Sequence, residues 1–266
     1  MVRWQQLKMN RLFLSILLSL LTLTSYSQDY SVKELTESNP HFSDDEYTFP
    51  LLEGPDKVVT NKINNYLVVD QLNIELGKEE KSIFENVWQK PDKPVARINY
   101  LTFKVNLLNE KLYTVTISGE FCSAYCEGYD MSYTFDLTTG DLLTLNTLFN
   151  KIGQEKLLHE LIGYKRRLIE EKIVELEQIN KSDTIKSEDI EYYTDMLELY
   201  ENCNSEYDEL RDFRFIPSTD SLEIIYGRCS AHYNRSIDEL WYFKKSISTK
   251  EWSEYLSEIG IEKIKN

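Results

Sequence analysis

The chain is poor in the residues that mark fibrous, low-complexity or basic proteins. Its 266 residues include only 9 glycines and 6 prolines, which excludes a collagen-like or low-complexity chain. Lysine and arginine are outnumbered by aspartate and glutamate, 30 to 45, so the formal net charge is -15. Because binding to phosphate needs clustered basic side chains, this balance disfavours nucleic acid and anionic membrane surfaces as partners. With 41% hydrophobic residues, the chain can still bury a core.

The common catalytic motifs are also absent. The sequence has no G-x-S-x-G elbow, H-E-x-x-H helix, G-x-x-x-x-G-K-[ST] loop or G-x-G-x-x-G turn. Acidic pairs such as Asp44-Asp45 and Glu170-Glu171 lie in polar runs, which favours solvated surfaces over a glycosidase pair or a calcium loop. The sequence therefore predicts no catalytic residue, no cofactor and no metal ligand.

The first residues have the order of an export signal. Arg3, Lys8 and Arg11 precede an apolar run over 12–21, and small residues follow up to Ser27 and Gln28. This order is typical of a signal peptide, and the run is shorter than the about 20 residues of a membrane-spanning helix. We predict cleavage between Ser27 and Gln28, so that residues 1–27 are removed. The mature chain would then lie in the periplasm or outside the cell, without a membrane anchor.

Removal of residues 1–27 makes the protein more acidic. The segment carries three positive charges and no negative ones, so the formal charge falls from -15 to -18. A strongly acidic surface attracts a cationic partner, and it also keeps an exported protein soluble. Both interpretations stay open at this point.

Four cysteines, an even number, fit an exported chain with two disulfides. They are Cys122, Cys126, Cys203 and Cys229, and four cysteines allow three connectivities. We favour a bridge between Cys122 and Cys126 across a loop, which leaves Cys203 for Cys229. Zinc is the alternative use of four thiols, but the wide separation of the second pair disfavours it.

Alternation of apolar and polar residues between 97 and 136 is the clearest pattern in the chain. Leu101, Phe103, Val105 and Leu107 alternate with polar residues, and two similar runs follow. Half-buried strands have this period of two, so the pattern predicts an antiparallel meander. Further strands are predicted over 47–53, 213–226 as a hairpin, and 240–247, whereas residues 29–46 are predicted to be a polar segment ahead of the first strand.

Helical spacing occurs over 56–76, over 154–179 and after Ser248. In the long helix we expect one buried face and Lys165 on the opposite, solvated side. The residues of the buried face are Leu158, Ile162, Ile169, Ile173 and Leu176. A second helix over 188–203 would complete a long helical hairpin, which either crosses the sheet or projects from it. A capping box at Ser248 predicts a final helix that ends before Gly260.

These elements predict an α+β fold with an antiparallel β-meander sheet, flanking helices and a long helical hairpin insertion. No linker or repeat divides residues 28–266, so a single domain is expected.

Three pieces of this order carry a family resemblance. They are the strand and helix over 47–76, the run Tyr133-Thr134-Phe135-Asp136-Leu137-Thr138-Thr139-Gly140-Asp141-Leu142-Leu143-Thr144-Leu145 with Leu148-Phe149, and the closing strand with Trp252-Ser253-Glu254-Tyr255-Leu256. The chain resembles the extracytoplasmic domain of RsiV-type anti-sigma factors, also found beside PdaC-type peptidoglycan deacetylases. The resemblance implies a sensing or binding module of the cell envelope and, for the RsiV-type members, capture of lysozyme, a basic protein.

Two groups of residues are candidate sites. Tyrosine offers a large ring with a polar tip and suits interfaces, so Tyr125 and Tyr129, with His232 and Tyr233, are candidates for partner binding. Cys229 and His232 lie three residues apart in the sequence, which suggests a Cys-His hydrolase as an alternative, provided that the thiol is free. His159 falls in the long helix and is expected on the surface.

The sequence thus predicts an exported, non-enzymatic binding module of the cell envelope, with a cationic protein such as lysozyme or a cell-wall component as its partner. The alternatives are the Cys-His hydrolase and a structural envelope protein without a discrete ligand.

Overall fold

A computed structural model describes residues 29–40, 42, 46–88, 97–122, 126–181, 187–203 and 209–264. The predicted signal peptide with Ser27 and Gln28, and Tyr125, lie outside these residues. The α+β fold class is confirmed, because the chain forms a five-stranded sheet, a three-stranded sheet and several helices, one of them long. Among the described residues, none of the helices combines the length and the apolar character needed to span a membrane.

The larger sheet has its strands in sequence order. They are β1 (Ser31–Ser38), β2 (Glu46–Glu53), β3 (Arg97–Leu108), β4 (Leu112–Cys122) and β5 (Cys126–Asp136). The predicted meander of β3 to β5 is confirmed, and its neighbours pair antiparallel. Strands β2 and β3 instead pair in parallel, with Tyr47 opposite Leu101, because a helix crosses over between them.

Strand β1 corrects the prediction of a polar segment over residues 29–46. It pairs antiparallel with β2 along its whole length, from Ser31 opposite Glu53 to Ser38 opposite Glu46. As an edge strand it needs little apolar surface, and Val32 and Leu35 alone pack against the core. Charged residues on the rest of the strand are typical of a protected sheet edge.

Helix α1 (Lys57–Leu72) covers one face of the larger sheet. Asp56 caps it by accepting the backbone N–H groups of Val58 and Val59, which would otherwise lack partners. Ile63 and Leu67 are fully buried against the sheet. Asn64 joins helix to strand, because its side chain exchanges two hydrogen bonds with the backbone of Leu52, at 2.8 and 2.9 Å.

The second face of the larger sheet carries small polar residues. Thr114 bonds Thr134 at 3.2 Å, and Thr116 bonds Ser132 at 2.8 Å, across β4 and β5. A register shift between Val105 and Leu107 turns Leu107 to this second face, where it packs with a different core cluster from Leu101. The expectation that Leu107 shares a face with Leu101 is therefore wrong, because a bulge reverses the alternation.

The smaller sheet pairs β6 (Arg214–Pro217), β7 (Ser221–Tyr226) and β8 (Phe243–Ser248) in antiparallel order. It lies beside β5, where Thr134 donates to the carbonyl of Phe215 at 3.3 Å. The predicted hairpin over 213–226 and the strand within 240–247 are confirmed.

The helical hairpin follows a short helix α2 (Leu145–Leu148) and consists of α3 (Lys151–Asn180) and α4 (Ser187–Glu201). It packs on the smaller sheet, since Tyr226 donates to the carbonyl of Leu161 at 3.0 Å and Lys245 pairs with Glu160 at 2.8 Å. The helical hairpin therefore packs against the smaller sheet and does not project from it.

The buried face of α3 differs from the predicted one in the first half of the helix. Leu157 and Leu161 are fully buried, whereas Leu158 and Ile162 are only partly buried. Ile169 and Leu176 are buried, as predicted. Lys165, expected on the solvated face, is 3% exposed and its ammonium lies 5.3 Å from the ring centroid of Phe243. Its aliphatic stem occupies a position on the buried face of α3, between Leu161 and Ile169, where an apolar side chain would be expected. His159 is exposed, as expected.

The end of the chain also differs from the prediction. The final helix, α5, spans Glu258–Ile264 and does not begin near Ser248. Ser257 precedes it, and its hydroxyl accepts the N–H of Gly260 at 3.0 Å. Gly260 lies inside this helix and does not end it. A Cβ there would stand 2.1 Å from the carbonyl oxygen of Leu148, so glycine permits the close packing of α5 on α2.

Candidate functional site

The four cysteines form two disulfides, Cys122 with Cys126 and Cys203 with Cys229, in agreement with the favoured connectivity. Cys229 therefore has no free thiol to act as a nucleophile, which removes the basis of the Cys-His hydrolase. Glu120 lies beside the first disulfide, within 4.8 Å of both sulfurs. Because a disulfide offers no thiolate, this cluster is a poor metal site.

A cleft of about 340 Å³ lies between the polar face of the larger sheet and the segment that leads into β8. Four aromatic residues line it: Tyr100, Tyr129, Trp241 and Tyr242. We call it the aromatic cleft. Tyr100 and Trp241 are 42% and 40% exposed, so both residues keep surface that a ligand can contact. Its volume falls at the lower end of the range of small-ligand sites, roughly 300 to 1,000 Å³.

Trp241 has a backbone that a bulky residue rarely adopts. Its φ is 56°, in the left-handed region that favours glycine. Such a conformation costs about 1 to 3 kcal/mol and persists where the surroundings enforce it. The guanidinium of Arg235 stacks on the indole, 3.8 Å from the ring centroid, and so covers one face of the ring.

Asp238 enforces the conformation of this segment. The carboxylate is 5% exposed and accepts the backbone N–H of Trp241 at 3.1 Å and that of Ser230 at 3.0 Å. It also accepts the hydroxyl of Tyr200 at 3.0 Å, and that hydroxyl in turn accepts the N–H of Leu240. Burial raises the pKa of the Tyr200 phenol, so the donor stays protonated.

Charges of both signs surround the aromatic cleft. Glu127 pairs with Arg228 and, at 3.6 Å, with Arg235, and Arg235 also donates to the carbonyl of Gly128 at 3.0 Å. Asp130 and Lys244 line the cleft and are exposed. Asp130 accepts the hydroxyl of Ser118 at 2.5 Å, which orients its carboxylate and leaves further lone pairs for a ligand.

Tyr129 joins the aromatic cleft to a second cleft of about 440 Å³, which Asp70 and Gln71 also line. Burial, with smaller contributions from Tyr100 and Asp70, raises the pKa of Tyr129 to about 12. Tyr133 donates to Asp70 at 2.5 Å, and burial followed by this bond raises the pKa of Tyr133 as well. Phenols held protonated in this way donate hydrogen bonds and are poor nucleophiles or bases.

Of the four predicted partner-binding residues, Tyr129 alone has a described side chain. Tyr129 lines the aromatic cleft. His232 and Tyr233 begin a short 3-10 helix, His232–Ile237, which leads toward the cleft, and their side chains, like Tyr125, are outside the described part. Cys229 lines a separate cleft of about 640 Å³ together with Asp195 and Glu198.

Sequence reasoning missed Tyr100, Asp130, Arg235 and Trp241 as site residues. Tyr100 had a detectable signal, because it is a large aromatic at a polar position of the alternation in β3. Trp241 had no such signal, since its positive φ and its exposure depend on contacts with Asp238 and Arg235, three and six residues earlier, that no periodic pattern marks.

Two solved structures of DUF3298 family proteins share the fold of this chain. DUF3298 denotes a domain of unknown function. The protein from Bacteroides fragilis superposes with a TM-score of 0.55 at 14% identity, over 90% of this chain and 98% of the other. The protein from Pseudomonas aeruginosa PAO1 superposes with a TM-score of 0.51 at 10% identity, over 87% and 95%. Neither a protein-family profile nor a curated protein sequence matches the chain.

Proposed function

We propose that the protein is an exported, non-enzymatic binding module of the cell envelope, and that the aromatic cleft binds a cell-wall component. The proposal includes removal of residues 1–27 and a single domain from Gln28 onward. The observation that carries it is the pair of exposed rings, Tyr100 and Trp241, in a cleft of small-ligand size. Exposed aromatic rings held in a fixed position are typical of binding surfaces.

Three further observations support export and binding. Two disulfides, Cys122 with Cys126 and Cys203 with Cys229, are typical of an oxidising compartment. Cys229 lacks a thiol, and the tyrosines of raised pKa stay protonated, so the clefts lack an activated nucleophile among these groups. The sequence resemblance to the RsiV-type and PdaC-type domain adds an envelope context, since it implies a sensing or binding module of the cell envelope.

Sedimentation with purified, insoluble cell-wall sacculi tests this function. The full 266-residue chain is expressed with export, purified, mixed with sacculi and centrifuged, and the bound fraction is measured at low and moderate salt. We expect saturable binding that moderate salt leaves intact, because ring stacking is not screened. Absence of the protein from the pellet would overturn the proposed function.

A cationic protein such as lysozyme is the second candidate partner. The formal charge of -15 and the cleft lined by Asp195 and Glu198 favour it, because acidic surfaces steer basic proteins. Calorimetric titration with lysozyme, beside an equally basic unrelated protein, tests it. Equal binding of both proteins that disappears with salt would reject lysozyme as a specific partner. No binding to sacculi or to lysozyme would favour a structural envelope protein.

A further inference from the structure

We infer that the aromatic cleft binds a saccharide of one or two pyranose rings, an assignment that rests on the function proposed above and names its ligand class. A pyranose ring has an apolar face of C–H groups and a rim of hydroxyls. Its face packs on an aromatic ring, and its hydroxyls need donors and acceptors close to that ring. The cleft offers both in one place.

Trp241 supplies the stacking surface. One face of the indole is covered by the Arg235 guanidinium at 3.8 Å, yet the residue remains 40% exposed. The exposed area therefore lies on the opposite face and the edge of the ring. Tyr242 lies beside it, with the two ring centroids 6.3 Å apart, and extends the apolar surface.

The opposite wall supplies the polar groups. Asp130 presents a carboxylate that is already oriented by Ser118, and carboxylates are strong acceptors for ligand hydroxyls. Gly128 leaves the floor without a side chain beside the hydroxyl of Tyr100, which lies 3.7 Å from the position a Cβ would take.

The charges around the cleft argue against ionic ligands. A cation would meet Lys244 and find one indole face already occupied by Arg235. A phosphate would meet Asp130, and the arginine that could hold it is paired with Glu127. A purely apolar ligand would desolvate Asp130 and Lys244 without giving them partners. A neutral, hydroxyl-rich ring avoids each of these costs.

Tryptophan fluorescence and calorimetry of the exported, purified protein test the assignment. The neutral probes are N,N′-diacetylchitobiose, cellobiose and the N-acetylglucosaminyl-N-acetylmuramic acid disaccharide with its lactyl carboxyl amidated. Tetramethylammonium and inorganic phosphate are the ionic probes. Trp241→Gly removes the ring and suits a φ of 56°. Asp130→Asn keeps the shape of the wall. Tyr192→Ala, at a 39% exposed ring on α4, is the matched control.

We expect at least one disaccharide to bind saturably, Trp241→Gly and Asp130→Asn each to weaken binding about tenfold or more, and Tyr192→Ala to bind as the parent does. Preference for the N-acetylated disaccharides would identify wall glycan as the source, and preference for cellobiose another polysaccharide. Binding of an ionic probe in place of the sugars, or equal binding by Trp241→Gly and the parent, overturns the assignment.

The sedimentation experiment separates this assignment from the proposed function. If sacculi retain the protein while no disaccharide binds, the saccharide assignment is wrong and the binding module stands on another surface. If disaccharides bind while sacculi do not, the cleft assignment stands and the cell-wall function is wrong.

Discussion

The carboxylate of Asp238 accepts the backbone N–H of Trp241 at 3.1 Å and thereby holds a half-exposed indole in a left-handed backbone conformation. Because the same carboxylate accepts from Ser230 and Tyr200, Asp238→Asn replaces one of its two acceptor oxygens by an amide donor and leaves at least one buried donor without an acceptor. We expect a loss of about 2 to 3 kcal/mol in the free energy of unfolding, measured by urea denaturation. Asp189→Asn, at an exposed position of α4, should change stability little, and equal losses in both variants would show that the network has no special role.

The two disulfides should stabilise the protein unequally. Cys203 and Cys229 are 26 residues apart, whereas Cys122 and Cys126 are 4 apart. Closing the longer loop removes more entropy from the unfolded chain, so we expect the Cys203→Ala/Cys229→Ala double variant to lose about 3 kcal/mol and the other double variant about 2. Denaturation of both, each against the parent, measures the order, and the reverse order would contradict the loop-entropy argument.

Tyr129 should make the protein sensitive to alkaline pH. Burial is the main cause that raises the pKa of Tyr129 in the folded protein from 10.0 to about 12. The contribution of the neutral phenol to the free energy of unfolding is therefore complete below pH 10, and it is lost as the pH rises from 10 to about 12. We expect Tyr129→Phe to lose less stability than the parent over this interval, since phenylalanine does not titrate. Denaturation at several pH values measures the difference, and parallel curves for the two proteins would refute it.

Gly260 and Gly163 should respond oppositely to alanine. A Cβ at Gly260 would stand 2.1 Å from the carbonyl oxygen of Leu148, whereas at Gly163, inside α3, it would meet nothing within 4 Å. We expect Gly260→Ala to cost about 1 to 3 kcal/mol and Gly163→Ala to stabilise by about 0.5 to 1 kcal/mol. Thermal unfolding of the two variants compares them, and similar shifts would mean that the contact between α5 and α2 adapts.

The start of the mature protein is directly measurable. If residues 1–27 are a signal peptide, intact mass spectrometry of the exported protein should give a chain that begins at Gln28, or its pyroglutamate form. Recovery of a chain that still carries Arg3 and Arg11 would contradict the cleavage prediction.

Hydrophobic periodicity predicted the strands and helices that bury one whole face. The meander around Leu101 and Phe103 was readable because one face of each strand meets α1. Strand β1 was not, because an edge strand with Val32 and Leu35 as its buried residues lacks a clear alternation. The burial of Lys165 was not predicted. Its charge indicated a solvated face, whereas the residue is buried with its ammonium 5.3 Å from the ring centroid of Phe243.

The site was harder to predict than the fold. Tyr129 was accessible to sequence reasoning as part of a tyrosine-rich segment. Trp241 and Asp130 come from positions more than 100 residues apart in the numbering of the chain, and the association of β5 with the segment before β8 brings them together.

The parallel pairing of β2 with β3 has a consequence for the order of folding. Chains are synthesised from the N-terminus, so the hairpin of β1 and β2 emerges well before β3, whose Leu101 lies opposite Tyr47. Until then the inner edge of β2 has exposed N–H and C=O groups, while the meander can form from neighbours in sequence. The N-terminal hairpin must therefore wait for the meander, and a partner that shields its open edge during that interval would raise the yield of folded protein.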